Sequence, residues 1–319
     1  MGSDSGWIQV YAPATVANCG PAFDTLGFAL ERPGDRLAAR WSAKPGVRLI
    51  EISDESIGAE HNLPLPRDPA KNTAGIAAIK ALKLAGASAK RGLELKLHKG
   101  VPPGSGLGSS AASAVAAAWA VGELLDSSLP RQALLEACLE AEAAVSGRFA
   151  DNIAPALYGG FVLIRSYDPL EIISLPVPPT LRLVIVRPHY RLLTKRARAV
   201  LPERVTLSAA VRNWANVGAL VAALYRDDPA LLGRALQDEI VEPARAPLIP
   251  GFAEAKAAAL QAGALGCAIS GAGPALFAIA DEAGPLERIA QAICRVFQAH
   301  GLESSVYHSG ISTRGVHRI

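Results

Sequence analysis

The feature that most constrains the fold of this chain is the glycine-rich stretch 101–113, which reads VPPGSGLGSSAAS. Gly104, Gly106 and Gly108 remove side chains at alternate positions, and an alanine-rich run follows. This order predicts a strand, a tight loop and a helix that begins near Ser109. Such a loop exposes backbone N–H groups, and the helix start adds about half a positive charge. The stretch can therefore hold a phosphate group without a cationic side chain.

Two better-known phosphate loops do not match this stretch. The loop of nucleotide triphosphatases needs Gly-Lys-Ser/Thr, but no lysine follows Gly108. The dinucleotide fingerprint G-x-G-x-x-G needs one more residue before its last glycine than this loop provides. A flexible turn that happens to precede an alanine helix remains the alternative.

Composition limits the protein classes. Of 319 residues, 50% are hydrophobic and 19% are charged, which is enough to form a large core and favours two domains. The net charge is only +3, without a long run of Lys or Arg, and aromatic residues make up 5%. Neither nucleic acid nor a membrane surface is therefore an expected partner.

Cysteine usage and the first residues predict a cytoplasmic protein. The four cysteines are dispersed and form no C-x-x-C pair, which argues against a disulfide framework or a zinc site; they are Cys19, Cys138, Cys267 and Cys294. The start of the chain lacks a basic region followed by an apolar core, so we expect no signal peptide. The apolar runs are too short for a membrane span.

Strand and helix patterns alternate in both halves of the chain, which predicts an α+β fold. The first strand is expected at Trp7–Ala12, ending at Pro13. The segment Asp168–Pro179 has four prolines and is predicted to connect two domains, 1–168 and 169–319. Residues 243–251 also carry several prolines and are predicted to form a rigid loop.

Several polar residues occur where either a structural or a functional role is possible in principle. Asp24 lies among apolar neighbours, where a carboxylate is costly unless it is paired, caps a turn or works in a site. Asn18 fits a turn, and Asn72 fits a helix cap. Asp151 and Asn152 fit either a turn or a site.

Glu142 lies on the apolar stripe of a predicted helix over 130–146, because Leu135, Cys138 and Leu139 share its face. An ionised carboxylate there needs a cation or hydrogen-bond donors. Magnesium bound next to phosphate groups would supply the cation. The alternative is a glutamate that reaches solvent from the helix end.

Two further features concern anions and close backbone contacts. Arg245 is the only charge between Pro243 and Gly251, so it either contacts a specific anion or lies on the surface. The turn Ser270–Pro274, which contains Gly271 and Gly273, is too small to hold bulky groups, and we expect another backbone or a ligand to approach it closely.

Taken together, these motifs resemble those of the GHMP small-molecule kinase family over about residues 8 to 310. The most specific match is the Gly-Leu-Gly-Ser-Ser-Ala core of the glycine-rich loop. Within the family the chain is most similar to the members that phosphorylate homoserine, on the segments 13–27, 150–155, 194–202 and 242–251. The resemblance implies a two-domain fold, with an N-terminal ribosomal protein S5 domain 2-like ATP-binding domain and a C-terminal ferredoxin-like α/β sandwich.

The resemblance also implies site residues. It places the phosphates of ATP on Pro102, Pro103, Gly104, Ser105, Gly106, Leu107, Gly108, Ser109, Ser110, Ala111 and Ala112, with Asn72 on the adenine and ribose side. It places Mg²⁺ on Ser110 and Glu142. It places L-homoserine on Asn18, Asp24, Asn152, Thr194, Arg198 and Arg245. Asp24 would be either the catalytic base or a group that only binds the substrate.

By the same resemblance, the γ-phosphoryl group of ATP would pass to the side-chain hydroxyl, giving O-phospho-L-homoserine for threonine biosynthesis. A homodimer is a further expectation from the family. The chain departs from the family pattern at Cys19, at Ala22 and at Phe149, where an aliphatic residue, a glycine and a histidine are usual. A kinase for a mevalonate-type or sugar-type alcohol, or a non-catalytic nucleotide-binding relative, are the alternatives.

Overall fold

A computed structural model describes residues 6–62, 64–87, 91–125 and 129–319. Residues 1–5, on which the signal-peptide expectation partly depends, lie outside these ranges. The strands are β1 (Ile8–Ala17), β2 (Leu26–Ser42), β3 (Gly46–Asp54), β4 (Gly92–Lys99), β5 (Phe161–Tyr167), β6 (Leu170–Leu175), β7 (Arg182–Pro188), β8 (Gly266–Ile269), β9 (Leu276–Ala280), β10 (Ser304–Ser309) and β11 (His317–Arg318).

Asn72 is the N-cap residue of the first helix, α1. The helices are α1 (Thr73–Leu84), α2 (Ser109–Leu124), α3 (Arg131–Ala143), α4 (Ile153–Tyr158), α5 (Thr194–Ala199), α6 (Leu207–Arg226), α7 (Pro229–Ala235), α8 (Val241–Arg245), α9 (Phe252–Gln261) and α10 (Leu286–Ala299). Short 3₁₀ turns form at Ala59–His61 and Ala246–Leu248. Within the described residues, no helix is both long enough and apolar enough to cross a membrane.

Within the described residues, the larger sheet has seven strands in the order β11-β1-β2-β4-β3, with β5 paired to β2 and β6 to β5. β2 is long enough to pair with β5 through residues 26–28 and with β4 through residues 36–42. Strands β3 and β4 are parallel, and the other pairs are antiparallel.

The prediction that the first strand ends at Pro13 is wrong. β1 continues to Ala17, and its register against β2 shifts between Pro13 and Thr15. A bulge accommodates the proline, since proline cannot donate a ladder hydrogen bond. The extended strand carries Thr15 to the glycine-rich loop, where its N–H donates to the carbonyl of Leu107 at 3.1 Å.

The prediction that Asp168–Pro179 is only a connector is also wrong, because this segment contains β6. Strand β6 forms a hairpin with β5, with Phe161 opposite Leu175 and Tyr167 opposite Leu170. Strand β11, at the end of the chain, also joins the larger sheet through β1. This sheet therefore contains strands from both sides of residue 168.

The smaller sheet is antiparallel, in the order β10-β7-β9-β8 within the described residues. Strands β7, β8 and β9 are buried on nearly all positions and so on both faces, whereas β10 exposes His308. Successive side chains of a strand point to opposite faces. Leu183 and Ile185 face the core shared with the larger sheet, whereas Val184 and Val186 pack with the core that includes α9 and α10. The two halves consequently share one core, in which the rings of Phe28 and Phe277 meet at 5.7 Å.

Helix α2 runs through the centre of the larger core. Nearly all its side chains from Ala111 to Val121 are buried, and most are alanine or another small residue. Small side chains let α1, α3, β1 and β2 pack closely around one helix. This packing fixes the direction of α2 and hence the place where its N-terminus meets the glycine-rich loop.

Candidate active site

One cavity of about 320 Å³ lies where the glycine-rich loop meets segments from both halves of the chain. Small-molecule sites commonly occupy roughly 300–1,000 Å³. Most residues singled out in the sequence line it: Asn18, Asn72, Pro103, Gly104, Ser105, Gly106, Gly108, Ser109, Ser110, Glu142, Asn152, Thr194, Arg198, Arg245, Gly271 and Gly273.

The remaining predicted residues do not line the cavity. They are Pro102, Leu107, Ala111, Ala112, Asp24 and Ser270. The side chains of Leu107, Ala111 and Ala112 are fully buried in the core, so only their backbone can serve a ligand.

Three glycines with left-handed backbone angles give the loop its shape. The φ angle is 66° at Gly104, 84° at Gly106 and 65° at Gly108, a region that other residues rarely adopt. Gly108 precedes α2, and within the described residues no side chain caps this helix. The first N–H groups of α2 therefore remain available to an anion, which the helix dipole also favours.

The second glycine turn packs directly on the loop. The Ser270 hydroxyl donates to the carbonyl of Gly106 at 2.8 Å, and the Ala275 N–H donates to the carbonyl of Ser105 at 3.2 Å. A Cβ on Gly106 would lie 2.4 Å from the Ser270 carbonyl oxygen. The close approach predicted for Ser270–Pro274 is thus made by the chain's own loop backbone, which holds the loop in place from the smaller sheet.

Glu142 is buried, as its position on the apolar face of α3 predicts. It is only 7% exposed, so the alternative that it reaches solvent is wrong. Its carboxylate accepts hydrogen bonds from the hydroxyls of Ser110, at 2.8 Å, and Ser146. Burial raises the pKa of this carboxyl, and no cationic side chain among the described residues pairs with it. A buried acid that faces a phosphate loop without a counter-ion is suited to a divalent cation.

Asp24 and Arg198 form an ion pair beside the cavity. The guanidinium of Arg198 donates to both carboxylate oxygens of Asp24, at 2.7 and 3.0 Å. The ring of Phe149 stacks on this guanidinium, with its centroid 3.5 Å from Cζ, and Phe23 lies on it at 5.2 Å. Arg198 therefore has a carboxylate partner inside the protein, and Phe149 holds its orientation.

Arg245 differs from Arg198 because it is buried without an acidic partner. It is 2% exposed, and its guanidinium donates to the backbone carbonyls of Ala197 and Gly271, at 3.2 and 3.0 Å. No carboxylate within the described residues forms an ion pair with it. Burial, and then the charge of Arg198, lower its pKa to about 10, so it stays charged at neutral pH. A buried cation that lines a cavity favours an anionic ligand.

The local structure that carries Arg245 is not the predicted loop. Residues 241–245 form α8, and a 3₁₀ turn follows, so most of residues 243–251 are helical. Pro243 and Pro247 lie in the first turns of α8 and of the 3₁₀ segment, where a missing N–H costs nothing, and Pro250 precedes Gly251, the N-cap residue of α9. The short helix turns Arg245 inward against Gly271.

The smaller polar residues complete this wall of the cavity. The Asn18 side chain bridges two segments, since it donates to the Gly271 carbonyl at 2.8 Å and accepts from the Asp24 N–H at 2.9 Å. Asn152 accepts from the Thr15 hydroxyl at 2.8 Å. Thr194 is the first residue of α5 and also lines the cavity.

Comparisons with known proteins show the family of this chain. The model of the GHMP kinases N terminal domain matches residues 73–160, and that of the GHMP kinases C terminal domain matches residues 220–299. A homoserine kinase of Chloroherpeton thalassium is 44% identical over 313 residues, which cover 96% of this chain and 97% of that protein. The chain belongs to the GHMP kinase family. The family prediction from the sequence is therefore confirmed.

Two further relatives support the same grouping for this GHMP kinase. A homoserine kinase of Arabidopsis thaliana is 47% identical over 302 residues, covering 94% of this chain and 80% of that protein. The crystal structure of a homoserine kinase from Cytophaga hutchinsonii has a TM-score of 0.91 and 47% identity, over 100% of this chain and 99% of that one. The predicted two-domain α+β fold of the family is likewise confirmed.

Asn72 has a clear structural role in this GHMP kinase. Its side chain accepts from the N–H of Ala74 at 3.0 Å, which caps α1, and its amide donates to the carbonyl of Pro66 at 2.9 Å. The helix-cap interpretation is confirmed. Because Asn72 and Pro66 also line the cavity, the predicted nucleotide contact stays a prediction.

Two further charged groups lie in the site: Asp151, for which the sequence left a turn or a site open, and Lys99, which the sequence does not single out. Asp151 is 3% exposed and lines the cavity, and burial, followed by the charges of Asp24 and Glu142, raises its pKa to about 7. Lys99, at the end of β4, is 1% exposed and forms an ion pair with Asp35, which is fully buried. The signal for Lys99 is weak, since a lysine at the end of an alternating strand usually reaches solvent.

Proposed function

We propose that this chain is a homoserine kinase. It would transfer the γ-phosphoryl group of ATP to the side-chain hydroxyl of L-homoserine, giving O-phospho-L-homoserine for threonine biosynthesis. Relatives of that name at 44% and 47% identity, over nearly the whole chain, support this proposal. The substrate assignment depends further on the charges that face the cavity.

The observation that carries the proposal is a pair of unmatched buried charges in one cavity. Arg245 is a cation without an acidic partner, and Glu142 is an acid without a basic partner, among the described residues. We assign Arg245 to the carboxylate of homoserine and Glu142 to a metal beside the phosphates. Asp24 is the acidic group that would receive the substrate ammonium, a group that mevalonate and sugars lack.

The loop Pro102–Ala112 would hold the phosphates through backbone N–H groups at the start of α2. The transferred phosphoryl group is anionic and loosely bonded in the transition state, so positioning and electrostatics supply most of the catalysis. The hydrogen bond from the Ser270 hydroxyl to the Gly106 carbonyl would help to hold the loop, and with it those N–H groups, in position. Asn72 would lie on the adenine and ribose side.

The residues present fit a magnesium ion. Glu142 offers a buried carboxylate, and the Ser110 hydroxyl lies 2.8 Å from it at the first turn of α2. These are the oxygen ligands that Mg²⁺ takes together with phosphate oxygens. When bound, the ion would neutralise charge on the phosphates. The raised pKa of Glu142 reflects the burial that such a cation would offset.

Two carboxylates are candidates for the base that accepts the proton of the substrate hydroxyl. Asp24 is the candidate from the resemblance, but both of its carboxylate oxygens already accept hydrogen bonds from Arg198, and it does not line the cavity. Asp151 has a pKa of about 7, which matches what general-base catalysis needs near neutral pH. We therefore propose that Asp24 orients Arg198 and binds the substrate, and that Asp151 is the stronger candidate for the base.

An assay of ADP release with substrate analogues tests the function. L-homoserine should be phosphorylated, whereas 3-aminopropan-1-ol, which lacks the carboxylate, and 4-hydroxybutyrate, which lacks the ammonium, should lose most of kcat/KM. Mevalonate and galactose serve as alternative acceptors, and inorganic phosphate release without acceptor measures background hydrolysis. Turnover with mevalonate or galactose but not with any amino-acid alcohol would refute the proposal.

Compartment and assembly follow as lesser proposals. All four cysteines are free thiols, which is compatible with the reducing cytoplasm that the sequence predicts. An exposed apolar stripe on α6, formed by Leu207, Val211 and Trp214, is compatible with the homodimer expected from the family.

A further inference from the structure

A cluster of metal-ligating side chains lies away from the cavity, where the loop after β3 meets the smaller sheet. His61 ends the 3₁₀ turn Ala59–His61, His189 directly follows β7, and Glu303 directly precedes β10. Their donor atoms all lie within 4.8 Å of one another. Glu303 Oε2 is 3.9 Å from His61 Nε2 and 3.8 Å from His189 Nδ1. The two imidazole rings face each other, with centroids 4.4 Å apart.

The hydrogen bonds around His189 leave one ring nitrogen free to bind a cation. His189 Nε2 lies 2.7 Å from the Ser305 hydroxyl, whose own acceptor is the Ile57 carbonyl at 3.5 Å. In the tautomer whose Nε2–H donates to this hydroxyl, the lone pair of the neutral ring lies on Nδ1. His189 Nδ1 is buried and has no hydrogen-bond partner among the described residues. A partner that fixes the opposite nitrogen is the usual arrangement around a metal-bound histidine.

We propose that His61, His189 and Glu303 form a binding site for a divalent transition-metal ion, with Zn²⁺ as the best-suited ion. Two imidazoles and a carboxylate are a common zinc ligand set, with water or a further carboxylate completing a tetrahedron. Glu60 Oε1, 3.4 Å from His61 Nε2, offers that fourth ligand.

The separations from Glu303 need only a small adjustment, and the two imidazole nitrogens, which lie within 4.8 Å of each other, must also approach. Bonds of about 2.0–2.1 Å place tetrahedral ligands roughly 3.3 Å apart, about half an ångström closer than the observed separations from Glu303. The Glu303 side chain is 83% exposed and that of His61 is 41% exposed, so both are accessible from solvent and can move toward the buried Nδ1 of His189. Nearby Arg187 weakens cation binding but is engaged by Asn62 at 2.7 Å and by the Ile57 carbonyl.

Such an ion would fasten two parts of the molecule. His61 belongs to the segment between β3 and α1, whereas His189 and Glu303 belong to the smaller sheet. The same segment continues to Leu65 and Pro66, which line the proposed nucleotide side of the cavity. Metal binding would therefore stabilise the contact between this segment and the smaller sheet and restrain one wall of the cavity. The ion itself would take no part in the reaction.

Titration of the untagged full chain with Co²⁺ after treatment with a chelator tests the site. Tetrahedral Co²⁺ with nitrogen ligands gives a visible absorption band. Added Zn²⁺ should displace Co²⁺ and remove this band at one Zn²⁺ ion per chain. His61→Asn and Glu303→Gln alter exposed side chains, and each should weaken binding at least about tenfold; Ser305→Ala should weaken it by roughly 10- to 100-fold. His308→Asn is the matched control, because His308 also lies on the surface and pairs with one glutamate, Glu287, at 3.2 Å.

The same preparations provide a second readout. Zn²⁺ should raise the Tm of the unaltered chain and of the His308→Asn variant, but not that of Glu303→Gln. Absence of the absorption band, or equal binding by the unaltered chain and the His61 and Glu303 variants, would overturn the proposal. This result would leave the homoserine kinase proposal untouched, since the ADP-release assay reports the other site.

Discussion

Replacing Lys99 with methionine tests whether the buried ion pair between Lys99 and Asp35 holds the glycine-rich loop in place. Lys99 Nζ donates to the Asp35 carboxylate, to the Ser109 carbonyl at 2.9 Å and to the Ser113 hydroxyl at 2.8 Å. Asp35 Oδ1 in turn accepts from the N–H groups of Gly100 and Val101, at 3.1 and 3.0 Å. The pair thus connects the last residues of β4 to the first turn of α2, and both side chains are inaccessible to solvent.

Lys99→Met keeps the length of the side chain and removes its charge. Asp35 would then be a buried carboxylate without a counter-ion, and breaking a buried pair in this way typically costs about 3–5 kcal/mol. Because the Ser109 carbonyl also loses one of its two side-chain donors and keeps only the Ser113 hydroxyl at 3.2 Å, the N-terminus of α2 should shift, and KM for ATP should rise more than KM for homoserine. Removing both charges in Lys99→Met/Asp35→Asn should restore part of the lost stability.

Urea unfolding of the two single variants and the double variant measures these free energies, and steady-state kinetics measures both KM values. The kinetics of the double variant are measured as well. Because this variant should regain part of the stability, its KM values separate the effect of the missing charge from the effect of unfolded protein. A cost below about 1 kcal/mol for Lys99→Met, or strict additivity of the two substitutions, would refute the reasoning.

Three other substitutions test the site. Glu142→Gln should abolish Mg²⁺-dependent turnover while raising the free energy of unfolding by about 0.5–2 kcal/mol, because it removes a buried carboxyl whose charged form is disfavoured by burial; activity near that of the unaltered enzyme would contradict the metal assignment. For Asp151, ionisation of a group with a raised pKa costs stability as pH rises through about 7, so Asp151→Asn should stabilise the chain more at pH 8 than at pH 6, as thermal unfolding would record. The same variant should lose the acidic limb of the kcat/KM profile if Asp151 is the base, whereas Asp24→Asn should retain that limb. Gly108→Ala should reduce kcat/KM for ATP strongly, since its Cβ would lie 1.9 Å from the Thr15 hydroxyl and φ is 65° there; unchanged kinetics would contradict the proposed loop geometry.

Local patterns in the sequence are sufficient for the glycine-rich loop and its helix. Alternate glycines before an alanine run correctly predict a helix that begins at Ser109, since the relevant interactions lie within a few residues. The apolar spacing around Glu142 likewise predicts its burial, because helix periodicity alone determines which face it shares.

Contacts between distant parts of the chain could not be predicted in this way. Asp24 and Arg198 are 174 residues apart, and Lys99 and Asp35 are 64 apart, so no spacing rule pairs them. The prolines led to two wrong predictions, a strand end and a loop. Pro13 lies at a bulge within β1, and Pro243 and Pro247 near Arg245 lie in helical turns. Strand β6 was missed since its flanking prolines indicate a connector, whereas pairing with β5 makes it a strand.

The central claim is that Arg245 receives the carboxylate of an amino-acid alcohol. It is tested most directly by measuring kcat/KM of the unaltered enzyme and of Arg245→Ala with two acceptors, L-homoserine and 3-aminopropan-1-ol. Because charged hydrogen bonds are worth about 1.5–3 kcal/mol each, the substitution should reduce kcat/KM for homoserine by roughly 10- to 200-fold, and leave that for the acceptor without a carboxylate nearly unchanged. Equal losses for both acceptors would contradict the account.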